Sequence, residues 1–134
     1  MTAEEDLDHI RRSIDAWNRN DWEAMEASAT PEISIVAPEG WPESGVFEGW
    51  PAVRRQYERL KGSWSDERIE VLALDPVGDD RVLAHLHWTG HGETSGLDLD
   101  LRTWGLNTLE DGRITRTEFF LDRDAAMRAA DLGN

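Results

Sequence analysis

The chain predicts an α+β domain, on three grounds. Apolar residues recur every three or four positions up to Gly62 and every second position from Trp64 onward. The later runs are separated by turn residues at hairpin spacing. A length of 134 residues with 39% hydrophobic side chains makes one core and leaves no room for a second. Helices followed by consecutive hairpin strands are best buried as helices laid over one face of a curved antiparallel sheet.

Leu7, Ile10, Ile14 and Trp17 place an apolar stripe on a first helix whose other face carries Asp8, Arg11, Arg12 and Asp15. Residues 18–21 interrupt the pattern. Asp21 then caps a second, short helix with Trp22, Met25 and Ala29 on one face, and Pro31 stops it. Residues 33–36 are β-branched and short, bounded by Pro31 and Pro38, which predicts a brief strand. Residues 38–44 form a turn-rich loop carrying Trp41, and Val46-Phe47-Glu48 pairs back as another strand. Pro51 suits the first turn of a third helix, in which Val53, Tyr57 and Leu60 share a face until Gly62. Strands follow over residues 68–74, 81–91, 97–109 and 114–121, with turns at 75–80, 92–96 and Asp111-Gly112. A last short helix starts at residues 122–124 and runs through Met127. No internal repeat or low-complexity segment interrupts this order.

Charge narrows the partners. Twenty-eight acidic against fourteen basic residues give a net charge of -14, which repels phosphate backbones and anionic lipid, so neither nucleic acid nor a membrane surface is expected as a partner. The absence of cysteine excludes disulfides, thiolate metal sites and thiol nucleophiles. The acidic start and the lack of any apolar run near ~20 residues predict a cytoplasmic protein.

Several phrases carry a family resemblance: Ala16-Trp17-Asn18-Arg19-Asn20-Asp21-Trp22-Glu23-Ala24-Met25 with Pro31-Glu32-Ile33, then Phe47-Glu48-Gly49-Trp50-Pro51-Ala52-Val53. Leu109-Glu110-Asp111-Gly112-Arg113-Ile114 and Leu121-Asp122-Arg123-Asp124-Ala125-Ala126-Met127 complete them. In order and spacing, over almost the whole chain, the sequence resembles the nuclear transport factor 2-like superfamily and, within it, the SnoaL-like group. The resemblance implies a cystatin-like, cone-shaped half-barrel, a pocket between helices and sheet, and a homodimer through the outer sheet face.

Strand parity decides which side chains meet such a pocket. A three-residue loop Glu110-Asp111-Gly112 would set Leu109 opposite Arg113. That register gathers Thr103, Gly105, Asn107, Thr115, Thr117 and Phe119 on one mostly uncharged face, leaving Asp100, Arg102, Arg116 and Glu118 on the other. A two-residue turn would turn Arg116 and Glu118 inward instead. The uncharged face is the more economical inner one, and the same logic turns Val82, Ala84, Leu86 and Trp88 inward on the preceding strand. The expected lining is Trp17, Trp41, Phe47, Trp50 and Tyr57, with Trp64, Leu86, Trp88, Leu101 and Phe119; Thr103, Asn107 and Thr117 are its polar handles. It suits a mostly apolar small molecule, a ring-shaped one included. Each Trp, taken singly, reads better as core filling; it is the seven together that favour a pocket.

His85, His87 and His91 form a ladder on one strand, but their parallel exits ~7 Å apart do not converge on a metal, and no metal or other cofactor is expected. Glu70, mid-strand among apolar residues, is a candidate general base. The resemblance sharpens the catalytic question. Where ketosteroid isomerases carry their base, their oxyanion-binding acid and their helix-one Tyr, this chain has Ala37, Gly105 and Ser13. Where limonene-epoxide hydrolases carry an Arg and two Asp, it has Leu86, Trp88 and Phe119. Three readings stay open: a SnoaL-like pocket protein that holds a small apolar molecule; a cofactor-independent cyclase, isomerase or lyase working through Tyr57, Glu70, Asn107 or Glu118; and a filled, dimeric accessory module. The dimer is expected from Trp104, Leu106 and Phe120 on the outer face.

Overall fold

In a computed structural model of the chain, residues 2–41, 43–92 and 98–131 are described. The 92–96 turn is described only at Gly92, and the strand start placed at residue 97 lies outside this set.

Helix α1 (Ala3–Asn18) starts where Thr2 accepts the Glu5 amide, and Glu4, Glu5 and Asp6 complement the positive end of the helix dipole. Helix α2 (Trp22–Ala27) is capped by Asp21, which accepts the Ala24 amide at 3.0 Å. It ends at Ser28. Pro31 therefore does not stop a helix: strand β1 (Ala29–Ala37) begins earlier than its β-branched stretch suggests. The exposed Pro31 falls where pairing to the neighbouring strand shifts and no amide is required. Strand β2 (Gly45–Glu48) pairs back on β1, and Gly49 (φ 84) turns the chain into helix α3 (Trp50–Gly62), with Pro51 in its first turn.

Strands β3 (Trp64–Val77), β4 (Arg81–Gly92), β5 (Asp98–Glu110) and β6 (Arg113–Phe120) form the meander, and helix α4 (Arg123–Ala129) closes it. The sheet runs β2-β1-β6-β5-β4-β3. It is not wholly antiparallel, because β1 and β6 pair in parallel.

The last hairpin differs in mechanism from the expectation while keeping its face. Asp111 (φ 51) and Gly112 (φ 78) form a two-residue turn and set Glu110 opposite Arg113, so the three-residue loop is not formed. Pairing then shifts between Thr108 and Leu109: Leu109 faces Ile114, but Thr108 faces Arg116, leaving Thr115 as an extra residue. Thr115 accepts a bond from Thr30 on β1 at 3.3 Å. Beyond this bulge Asn107 faces Thr117 and Gly105 faces Phe119, so parity returns and Glu118 stays on the outer face with Leu106.

Two apolar clusters result. The inner one lies between α1, α2, α3 and the concave face and includes Ile10, Trp17, Ile35, Val53, Leu60, Leu86 and Trp88. The outer one puts Ala126 and Ala130, at α4 and its end, onto Val77, Leu83 and Leu106, with Trp104, Phe120 and Met127 beside them. Helices therefore cover both faces, and Leu106, expected in a dimer contact, is covered by its own chain.

Candidate functional site

Between the helices and the concave face is a cavity of about 100 Å³. Trp17 comes to it from α1, Trp50 and Tyr57 from α3, Trp41 from the 38–44 loop, and Leu86, Trp88 and Phe119 from the sheet. The rings brace one another: Trp17 and Tyr57 meet edge to face at 4.9 Å and 82°, and Trp41 lies 4.8 Å from Phe119. No Asp, Glu, Lys, Arg or His is among the described lining residues.

The polar lining atoms divide into satisfied and open ones. Asn107 donates to the Val82 carbonyl at 3.3 Å and the Gly105 carbonyl at 3.2 Å, while its Oδ1 accepts from Thr117 at 2.8 Å. That pair is occupied internally, so Asn107 is better fitted to hold β4, β5 and β6 together than to hold a ligand. The Tyr57 hydroxyl has no hydrogen-bond partner among the described residues, and burial raises its pKa well above the ordinary phenol value, so it stays protonated.

The feature that parity missed is Glu67. Between the pairs Ser65–His91 and Arg68–Thr89, β3 sets Asp66 and Glu67 against Gly90 alone. Asp66 takes a positive φ of 52, and the bulge turns Glu67 under the helices, leaving its side chain 4% exposed. Gly90 permits the approach: a Cβ there would stand 3.1 Å from Trp64 Cβ and 3.3 Å from Glu67 Cα. Glu67 accepts from Lys61 Nζ at 2.6 Å, from Trp88 Nε1 at 2.6 Å and from Trp17 Nε1. Lys61 also donates to the Trp17 carbonyl at 2.9 Å and lies 4.1 Å from the Trp17 ring centre. One carboxylate thus fixes two of the four indoles among the described lining residues. A strand read as starting at residue 68 leaves Glu67 in a turn; a glycine facing an acidic pair was the available bulge signal.

Other expected residues fall elsewhere. Phe47 and Leu101 pack on the inner cluster without being among the lining residues, because Phe47 sits on the edge strand and Leu101 nearer the β4–β5 turn than Thr103. Trp64 borders a separate polar groove with Asn18, Asn20, Lys61, Asp66, Glu67 and Arg68. Glu70 is exposed and pairs opposite His87, and Glu118 lies on the outer face 3.7 Å from Arg116, so neither carboxylate enters the cavity. The histidine ladder has acidic neighbours: His87 meets Asp100 at 2.6 Å and His91 meets Asp98 at 2.9 Å. Asp98 raises the His91 pKa through its hydrogen bond and charge. Ser13, Gly105, Leu86, Trp88 and Phe119, the positions the resemblance singles out, line the cavity as uncharged residues.

Comparison with known proteins agrees with this architecture. A family model described as a SnoaL-like domain matches residues 10–117. No curated protein matches the chain. Among solved structures, Bal32a from a soil-derived mobile gene cassette is 22% identical, with a TM-score of 0.82 over 92% of this chain and 94% of that one. A putative SnoaL-like polyketide cyclase from a Jannaschia species is 20% identical, with a TM-score of 0.77 over 95% of this chain and 92% of that one. A hypothetical protein with a ketosteroid isomerase-like fold from Catenulispora acidiphila, in complex with trimethylamine, is 12% identical, with a TM-score of 0.73 over 92% of each chain. These likenesses concern the fold. No helix among the described residues is long and apolar enough to cross a membrane.

Proposed function

The chain belongs to the SnoaL-like domain family, and from that premise we propose that it is a non-covalent binder of a small, mostly apolar molecule in the cavity between α1, α3 and the concave sheet face. The observation that carries this reading is the combination of an aromatic lining with the removal of charge from it: the neighbouring buried carboxylate, Glu67, is taken up by Lys61 and two indoles. A general base needs an open lone pair within reach of the substrate. Glu67 is surrounded by donors, Glu70 and Glu118 lie outside, and Tyr57 keeps its proton, so none of them is placed to act as the base of a cyclase or isomerase. At about 100 Å³ the cavity is smaller than the 300–1,000 Å³ of drug-sized sites, so the ligand is correspondingly small. The trimethylamine bound by a fold neighbour is a molecule of suitable scale.

Trp17, Trp41, Trp50 and Trp88 line the site and report on it directly. Titration with benzene should give a saturable change in tryptophan emission. A response that never saturates, for benzene and for small polar probes alike, would leave the filled accessory module as the better account.

We carry the homodimer and the cytoplasmic location as part of this proposal. The support for the dimer is narrower than the sequence suggested, since α4 takes Leu106; Trp104 and Phe120 retain part of their surface at the patch edge.

A further inference from the structure

We propose that the molecule held in this cavity is neutral and carries one hydrogen-bond acceptor oxygen, a carbonyl or an ether, which the Tyr57 hydroxyl meets. The inference deepens the binder reading above and rests on it.

It follows from an inventory of donors and acceptors around the hollow. The Asn107–Thr117 pair is satisfied internally and Glu67 is saturated by Lys61, Trp17 and Trp88. What remains without a partner on the lining, among the described residues, are the hydroxyls of Tyr57, Ser13 and Thr103. Polar groups inside folded proteins are normally paired, and although every hydroxyl can donate or accept, the phenol is the most acidic of the three and so favours an acceptor as its partner. Tyr57 is the best placed of them. Its ring is fixed edge to face against Trp17, whose indole N–H is itself anchored on Glu67, and a half-buried phenol that keeps its proton is a better donor than acceptor.

Charge argues for neutrality from both sides. An anion would enter a strongly acidic protein with no cationic group on the lining. A cation would find electron-rich rings, but Lys61 already lies against Trp17 and no lining carboxylate would compensate its lost hydration. Size narrows the class further. An apolar cavity of about 150 Å³ accepts the six heavy atoms of benzene, so about 100 Å³ suits a compact molecule of roughly six heavy atoms at most.

Three probes of matched size separate the outcomes: cyclopentanone, its hydrocarbon isostere methylenecyclopentane, and tetramethylammonium. Each is titrated by NMR into the full chain and into Tyr57→Phe, which keeps the ring and removes only the hydroxyl. Cyclopentanone should bind the native chain roughly fivefold or more tightly than methylenecyclopentane, and the preference should fall to near unity in Tyr57→Phe. Equal binding of the two, or stronger binding of tetramethylammonium, overturns the inference while leaving an apolar binder in place. A preference that survives in Tyr57→Phe overturns the assignment to that hydroxyl. Failure of all three probes in the native chain overturns the binder reading itself.

Discussion

Glu67 keeps a carboxylate in a nearly dry site because Lys61 supplies the counter-charge and two indole N–H groups supply the remaining hydrogen bonds. Such a pair adds little net stability when complete, since desolvation offsets attraction, yet losing one member strands the other. Lys61→Met should therefore destabilise the chain by about 3–5 kcal/mol in urea unfolding, and adding Glu67→Gln should cost much less than the sum of the single changes. Additive effects would show that the two groups do not sense each other. His85 provides the corresponding pH test. Desolvation lowers its pKa, aided by Arg102 and Arg123, and its Nε2 is buried without a partner beside the Trp104 ring stacked 4.5 Å away. A depressed folded pKa means that the unfolded chain takes up the proton first, so stability falls as pH drops below about 6.5. In His85→Phe this part of the fall between pH 7.5 and 5.5 should disappear from thermal unfolding; an unchanged profile would assign the acid sensitivity to other groups.

At the level of elements, β3 depends on its bulge. Gly90→Ala would force a methyl against Trp64 Cβ and the Glu67 backbone, and should cost about 1–3 kcal/mol while loosening the indoles that Glu67 holds. A thermal midpoint equal to that of the native chain would mean that the bulge yields freely. The same irregularities mark the limit of what the sequence made legible. Helices declare themselves through caps such as Asp21 and Asp122, and the inward set of β4 through strict alternation of Ala84, Leu86 and Trp88. Alternation says nothing of an inserted residue. Glu67 and Thr115 each occupy a bulge, so the first was missed, and the face of the second hairpin arm was obtained from the wrong turn. Parity also gives side and not depth, which is why Leu101 and Phe47 share the inner face without being among the cavity-lining residues.

For the molecule as a whole, the balance lies between an acidic surface and a partly covered outer face. Two copies each carrying a charge of -14 repel at long range, and salt shortens that range from about 30 Å at 0.01 M to about 8 Å at 0.15 M. The apolar surface that could oppose the repulsion is limited to what α4 leaves of Trp104 and Phe120, flanked by the His87–Asp100 pair on the same side of the sheet. A dimer built there would be weak and salt-promoted, unlike one held by cross-chain ion pairs, which salt would loosen. Sedimentation at tens of micromolar should therefore show association that grows as sodium chloride is raised, and Trp104→Glu should abolish it by placing a further negative charge in the contact. A monomer throughout the salt series would assign the outer cluster to α4 alone and remove dimerisation from the account of this protein.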